Sequence, residues 1–494
     1  MKKILIANRG EIARRIIRTA NKMGILTVAV YSEADREALF VQEANEAICI
    51  GPAPSKESYL DINKIIEAAK KTNADAIHPG YGFLSERANF SQAVFDAGME
   101  FIGPSATSIH LMGDKIEAKK CARAMDVPML GGTKESVTDI NVCKQIAKEI
   151  GYPILIKAAA GGGGKGMRIV YDETAMEENI ALASNEALSS FGDGAVFIEK
   201  FLTAPKHIEV QIIADKHGNV CYLFERECSI QRRHQKIIEE APSVSITSEV
   251  RKQIGEAAVR MALSCNYHGA GTVEFLLDDQ QKFYFLEMNT RIQVEHPVTE
   301  FITGLDLVEL QIRISRGEKL PFKQEDLTIN GHAIELRVNA EDPYEDFTPS
   351  IGVLTKYKIP VGDGIRVDDA YCEGQEIPIY YDPMIGKLIV HAKTRIEAIQ
   401  KLKSAIKNFT IEGIQTSLVY GEFILRHPEF INASMTTKFS ENTMQEFLTE
   451  NSFAKEEELA CIIGLEVYLQ ELNKLKPNTN SDQSWYQNRK SLRS

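Results

Sequence analysis

Between Thr272 and Asn289 two apolar runs flank the polar stretch Asp278-Asp279-Gln280-Gln281. That pattern predicts a β-hairpin. With the turn centred on Gln280 and Gln281, Glu274 stands opposite Glu287. Like charges directly opposed on a sheet are destabilising, and a cation between them removes the conflict. Asn289, two residues past Glu287, projects to the same face and adds a third hard oxygen. An all-oxygen donor set with few protein groups suits Mg²⁺ or Mn²⁺ shared with a nucleotide phosphate. Two solvent-exposed edge carboxylates are the plainer alternative.

Directly downstream, Arg291, Gln293 and Glu295 occupy alternate positions before His296 and Pro297. If the segment is extended they share one side. A guanidinium fork, an amide and a carboxylate beside a metal make a pocket for a small oxyanion with a general base in it; a solvated edge strand would show the same alternation. His207, Glu209 and Gln211 likewise share one face of a strand whose other face is Ile208, Val210 and Ile212. The run QRRHQK, 231–236, is either a solvated basic turn or a patch that neutralises small anions.

A third feature is the loop of Gly161, Gly162, Gly163, Gly164, Lys165 and Gly166, between predicted strands at 152–159 and 167–171. Consecutive glycines let backbone N–H groups close on an anion and admit positive φ. Gly161, Gly163 and Gly166 satisfy GxGxxG, but the dinucleotide version opens a helix, and here a strand follows. Gly166 after Lys165 also departs from a P-loop, which needs Ser or Thr there. With Lys157 in the preceding strand, a lid over phosphates is favoured over a mobile linker.

The elements that must position these groups read as follows. Apolar strands at 2–7, 27–31, 47–50, 75–78 and 100–103 alternate with helical spacing at 13–20, 61–72 and 90–97. This βαβ rhythm predicts a doubly wound parallel sheet. After Gly113 come helices at 115–126 and 138–150, then hairpins, one turning at His217-Gly218-Asn219, an α+β pattern. A third stretch from Gly331 has short strands, Pro and Gly turns and a helix at 395–407; beyond Asn451 follow an apolar helix at 459–475 and a polar segment with the sole tryptophan, Trp485.

Composition narrows the classes. The chain has 494 residues, too many for one compact domain, and its 44% hydrophobic and 26% charged residues are those of an ordinary globular protein. A net charge of −12 argues against general nucleic-acid binding. The N-terminus lacks a signal-peptide core, and no apolar run approaches the roughly 18 residues needed to span a bilayer, so a cytoplasmic location is expected. Eight scattered cysteines without CxxC or zinc spacing read as reduced, mostly buried small side chains.

Nine blocks in order carry a resemblance over about residues 1–446: LIANRGEIARRI (5–16), AIHPGYGFLSE (76–86), FIGPS (101–105), LMGDK (111–115), IKAAAGGGGKGMR (156–168), ECSIQRRHQKIIEEAP (227–242), GAGTVEFL (269–276), EMNTRIQVEHPVTE (287–300) and YYDPMIGKL (380–388). Together they resemble the biotin carboxylase family of the ATP-grasp superfamily. The implied fold is α/β: a Rossmann-like N-terminal domain at 1–113, a central ATP-grasp α+β region at 114–330 with a mobile lid at about 131–203, a C-terminal α+β domain at 331–446, and a tail at 447–494. Lys165 replaces a frequent Arg in the lid, and the tail is not shared by the minimal bacterial form.

The resemblance implies that Lys115, Lys157 and the 161–166 lid hold the ATP phosphates, and that Glu199, Lys200, His207, Gln231 and His234 surround adenine and ribose. Glu274, Glu287 and Asn289 would carry Mg²⁺ or Mn²⁺, two ions being expected. Lys236, Arg291, Gln293 and the Val294 backbone would hold bicarbonate, Glu295 would deprotonate it, and Arg337 would stabilise the biotin enolate, with Tyr81 near the biotin or phosphate site. Expected partners are a biotin carboxyl carrier protein, carboxyltransferase subunits and a second copy in a homodimer. No Lys here is flanked by Met on both sides, so biotin is expected on another polypeptide. The tail inclines the reading towards an acetyl-CoA or propionyl-CoA carboxylase; the corresponding subunit of a two-subunit pyruvate carboxylase is the alternative. Another ATP-grasp ligase, and a dinucleotide-binding dehydrogenase or nucleotide sensor, are the competing classes, against which the HPGYGFLSE and RIQVEHP blocks speak.

Overall fold

The computed structural model describes residues 1–133, 136–158, 168–191 and 194–474. Short strands that are apolar on both sides need helices on both sides. β1 (Lys3–Ile6), β2 (Leu26–Ser32), β3 (Glu46–Gly51), β4 (Ala76–His78) and β5 (Glu100–Phe101) form a parallel sheet in the order β3-β2-β1-β4-β5. Ile4 and Ile6 pack with Ile12, Ile16 and Ile17 of α1 (Gly10–Lys22). Leu5, Val28, Val30 and Ile77 pack on the other side with Ile65 of α2 (Ile62–Lys71) and Phe90 and Val94 of α3 (Ala88–Asp96). The doubly wound sheet is as expected, except that β5 stops at Phe101, where Gly103 and Pro104 turn the chain away.

After α4 (Lys115–Ala124) and α5 (Ile140–Ile150), β6 (Ile154–Ala158) and β7 (Arg168–Val170) pair antiparallel. With β8 (Val196–Lys200) they make a three-stranded sheet packed on α5 and α6 (Met176–Phe191). The glycine-rich loop 161–166, with Lys165, lies outside the described residues. Its flanks are strands on both sides, the arrangement that excludes a dinucleotide fingerprint.

The largest layer is an eight-stranded antiparallel sheet. It contains β9 (Lys206–Ala214), β10 (Val220–Arg232), β11 (Gln235–Ala241), β12 (Gly269–Leu277), β13 (Phe283–Asn289), β14 (His332–Asn339), β15 (Ile365–Asp369) and β16 (Met384–Ala392), in the order β13-β12-β9-β10-β11-β14-β16-β15. The sheet crosses residue 330 without a break, because β11 pairs with β14. Ile208, Val210, Ile212, Val273 and Phe275 pack against Ile254, Ala257, Ala258 and Met261 of α7 (Ser248–Ser264). The residues alternating with them point to the opposite face, where the polar groups collect.

Two local details differ from the sequence reading. In the hairpin β12–β13, Glu274 does face Glu287, but nearer the turn Phe275 pairs with Phe285 and Leu277 with Phe283. The turn therefore centres on Gln280, and a bulge at Leu286 restores the expected register at the two glutamates. The segment 290–295 is not an extended strand. It is a turn that leads into α8 (His296–Thr303), with Glu295 as the residue before the first helical turn and Pro297 inside it.

α9 (Arg395–Lys407) starts from a Thr394–Glu397 capping box. The chain divides into two units, Met1–Ser440 and Glu441–Ser494. The last helix, α10, runs from Phe439 to Lys474, so it begins well before the expected 459. Its residues 458–472 are exposed throughout, among them Leu459, Ile462, Ile463, Leu465, Val467, Tyr468, Leu469 and Leu472. Trp485 lies outside the described residues. All eight cysteines are free, but only Cys143, Cys221, Cys228 and Cys265 are buried, half rather than most. Among the described residues no helix is long and apolar enough to cross a membrane.

Candidate active site

His207, Glu209 and Gln211 alternate on β9 and are all buried, so the polar face of this strand is an interior surface. A buried carboxylate needs a cation. Arg226 of β10 lies opposite Glu209 and is fully buried. Its guanidinium donates to Glu209, to Gln211 Oε1 at 2.7 Å, to Thr299 Oγ1 at 2.9 Å, to Thr272 Oγ1 at 3.1 Å and to Gln293 Oε1 at 2.8 Å. One side chain on β10 thus ties polar groups of β9 and β12 to α8 and the turn before it.

Glu274 takes hydrogen bonds from Asn289 Nδ2 at 2.7 Å and Gln293 Nε2 at 2.9 Å, pairs with His207 Nε2 at 2.9 Å, and has Lys236 Nζ at 3.3 Å. Burial by itself would raise its carboxyl; Lys236, His207 and the hydrogen bonds outweigh burial and hold it far below the usual range. Glu287 is the opposite case. Its side chain opens to the cleft, but partial desolvation by the surrounding protein and the facing Glu274 push it up, against a smaller pull from Lys115. Its carboxylate takes no hydrogen bond among the described residues. Asn289 donates its amide nitrogen to Glu274, and its oxygen accepts from Arg291 Nη2 at 3.2 Å. The donor chemistry fits a hard divalent ion at Glu287 and Glu274, with Asn289 able to join once its amide is released from these partners. Glu209 is less suited, since Arg226 and Lys236 already occupy it.

Glu295 is buried beside two cations. Lys236 Nζ lies 2.6 Å from one oxygen and Arg337 Nη2 3.0 Å from the other. Burial would raise this carboxyl too, but Lys236, Arg337 and Arg226 hold it well below the usual range. The Val294 carbonyl accepts from Lys387 Nζ at 2.8 Å. Arg291 is engaged by Glu86 at 2.9 Å, and Tyr81 donates to Glu11. The structure therefore brings Lys236, Glu274, Asn289, Arg291, Gln293, Glu295 and Arg337 into one linked cluster.

A second cluster collects cations from α4 and β6. Lys157 Nζ is 2.6 Å from Glu199, and Lys119, one helical turn past Lys115, contacts the same carboxylate. Burial would raise Glu199, yet the two lysines hold it at about 2. Lys200 points the other way, as the neighbour of Glu199 on a strand must, and donates to the Gly151 and Tyr152 carbonyls at 3.1 and 2.8 Å. Gln231 is buried near the end of β10. His234 is exposed at the tip of the β10–β11 turn, where Arg233 and His234 both have positive φ.

Comparison with known proteins decides the family. The description "Biotin carboxylase, N-terminal domain" matches residues 1–109, "Carbamoyl-phosphate synthase L chain, ATP binding domain" matches 114–323, and "Biotin carboxylase C-terminal domain" matches 335–442. Biotin carboxylase 1 of Bacillus subtilis is 50% identical over 442 residues, 89% of this chain and 98% of that protein. The chain belongs to the biotin carboxylase family. The human mitochondrial propionyl-CoA carboxylase alpha chain is 51% identical over 439 residues, 88% of this chain; the chain spans 60% of that relative's length. The biotin carboxylase domain dimer of Hydrogenobacter thermophilus 2-oxoglutarate carboxylase, a complex with MgADP, ADP and bicarbonate, superposes with a TM-score of 0.84 at 46% identity, covering 90% of this chain and 98% of that one. The chain accordingly belongs to an ATP-grasp ligase family.

Within this biotin carboxylase fold, the buried Arg226, Lys387, Glu239 and Glu335 and the half-buried Lys119 escaped the sequence reading. The register next to the turn, Val220 with Ala214, would if continued pair Arg226 with Ile208, on the wrong face. A bulge around Phe224, which has positive φ, moves Arg226 opposite Glu209. Lys119 was legible, being four residues from Lys115 on one helix face. Lys387 and Glu239 were not, since their neighbours arrive by strand pairing across β11, β14 and β16.

Proposed function

We propose that this chain carboxylates biotin with bicarbonate at the expense of ATP, the biotin being carried by a separate polypeptide. The observation that carries the reading is Glu295 fixed between Lys236 and Arg337, at the end of the hairpin that presents Glu274 and Glu287. Bicarbonate is a weak nucleophile. A base that takes its proton as it attacks the γ-phosphate, with cations spreading the developing charge, lowers the barrier.

At rest Glu295 is a poor base because both cations neutralise it. When Lys236 turns to bicarbonate and Arg337 to biotin, the carboxylate loses its partners in a buried setting and its proton affinity rises. Substrate binding thus generates the base. Mg²⁺ or Mn²⁺ held by Glu274, Glu287 and Asn289 would neutralise phosphate charge. Lys115, Lys119 and Lys157 supply positive charge for the phosphates. The mixed anhydride of carbonate and phosphate is labile in water, which gives the 161–166 loop its role as a lid. Phosphate released from the anhydride can accept the ureido proton of biotin, and Arg337 steadies the resulting enolate.

The final acyl acceptor belongs to a carboxyltransferase; we place the chain with acetyl-CoA or propionyl-CoA carboxylases, and with a two-subunit pyruvate carboxylase as the alternative. Its partners on this reading are a biotin carrier, a carboxyltransferase and a second copy of itself, in the cytoplasm. The exposed apolar residues 458–472 support docking to a partner, because a helix apolar around most of its circumference is stable only when covered. The test is transfer of labelled bicarbonate to free biotin. Label in biotin only with ATP and Mg²⁺ present supports the reading; label transfer to an amine or none at all with intact nucleotide binding overturns it.

A further inference from the structure

β11 and β14 place Glu239 directly opposite Glu335, and both are fully buried. Among the described residues neither oxygen of Glu335 has a hydrogen-bond partner, and Oε2 of Glu239 has none. Two like charges opposed inside a protein repel far more than at its surface. The cations in reach are already committed. Arg337, two residues along β14, gives Nε to Glu239 at 2.7 Å and Nη2 to Glu295 at 3.0 Å. Lys387 of β16 donates to the Val294 carbonyl and lies 3.2 Å from Glu11.

The next cation, Lys236 of β11, is committed to Glu209, Glu274 and Glu295. Glu335 is faced by Glu239 of β11, Lys387 of β16 and Glu295 from the turn before α8. Behind these stand Glu11 of α1 with Tyr81 hydrogen-bonded to it, Asp368 of β15 at 4.0 Å from Lys387, and a neutral His296 of α8. Arg337, Lys387 and a Lys236 shared with Glu209 and Glu274 therefore confront Glu11, Glu239, Glu295 and Glu335. The group cannot be fully ionised without an uncompensated buried charge, and a proton is the simplest compensation.

We propose that Glu335 is a positioning residue for Arg337: it and Glu239 hold at least one proton at neutral pH, and that proton leaves the Arg337 charge free to turn towards biotin. Burial pushes Glu239 up to about 7 and Glu335 well above the usual carboxylate range. Losing the proton at alkaline pH puts a second full negative charge behind Arg337 and draws the guanidinium back from the substrate side. The inference rests on the reading of Arg337 as the biotin-facing arginine.

The experiment is the pH profile of biotin-dependent ATP hydrolysis by the wild type, Glu335→Gln and Arg337→Met. Gln cannot lose a proton, so the ratio of kcat/KM for biotin at about pH 9.5 to that at about pH 7.5 rises about threefold or more in Glu335→Gln relative to wild type. A purely structural role lowers activity by one factor at every pH, and parallel profiles overturn the proposal. If Arg337→Met keeps full biotin dependence, the reading of Arg337 fails instead. Should Glu335→Gln not fold, the infrared spectrum of the wild type decides: a protonated-carboxyl carbonyl band present near pH 7.5 and lost on raising the pH supports the proposal, and no such band near pH 7.5 overturns it.

Discussion

Replacing Glu287 by Gln should stabilise the metal-free protein and abolish its response to metal, an opposition no simple surface carboxylate would give. Directly opposed residues have Cβ atoms about 5 Å apart, and two unit charges there repel by ~3 kcal/mol at an effective dielectric of about 20. Glu287 opens to the cleft and Glu274 is already paired with Lys236 and His207. Screening and pairing reduce the repulsion to roughly 0.5–1 kcal/mol, an apparent Tm gain of about 0.5–1 °C in a chain of this size. The sign with pH follows from the raised folded-state value of Glu287. The penalty is absent below the ordinary carboxylate range and complete above that raised value, so the gain from Gln is seen in mildly alkaline buffer and vanishes in acid. Mg²⁺ with a non-hydrolysable ATP analogue at 100 times its Kd should add about 2.7 kcal/mol to the wild type and much less to the variant. Thermal melts with and without the metal complex measure both effects. A variant no more stable without metal, yet still stabilised fully by it, would refute the assignment of the pair to a cation.

Glu295→Gln should cut bicarbonate-dependent turnover about 10²- to 10⁴-fold and leave nucleotide binding nearly intact, as steady-state kinetics beside calorimetric titration will show; unchanged kcat with weaker ATP binding would move Glu295 to the nucleotide site. Affinity for Mg²⁺ should rise with pH through the raised value of Glu287, because the ion binds only the carboxylate; titrations at several pH values that give one affinity would exclude Glu287 as a ligand. Arg226→Met leaves Glu209 with Lys236 alone and removes the donor from Gln211, Thr272, Gln293 and Thr299, and should cost ~3–5 kcal/mol, read by denaturant unfolding; a loss under 1 kcal/mol would mean the network relaxes around it. Removing 451–494 should weaken capture of the carboxyltransferase while leaving biotin-dependent ATP hydrolysis unchanged; full-strength capture by the truncated chain would leave the tail helix without a docking role.

How much of this was legible from the sequence depended on the distance between partners along the chain. The βαβ rhythm, the helices at 115 and 395 and the hairpin around Gln280 are local patterns, and they appear close to where spacing put them. Glu274 faced Glu287 as expected although the turn lies half a residue away, because the bulge at Leu286 cancels the error. The same device worked the other way at Phe224, where an unseen bulge hid Arg226. Whether 290–295 is extended stayed open because alternation of Arg291, Gln293 and Glu295 cannot distinguish a strand from a loop whose side chains are drawn inward by Arg226 and Lys236. α10 begins early because its first half lacks the apolar run that marks its second. Lys387, Glu239 and Glu335 meet only through long-range strand pairing, which spacing along the chain does not encode.

Phosphate release from ATP by the purified chain, measured with bicarbonate and free biotin each present or withheld, tests the central claim most directly. With Mg²⁺ present, release should require bicarbonate and rise with biotin, because Glu295 gains its basicity only when Lys236 and Arg337 leave it for these substrates. Release at full rate with neither present would contradict the account.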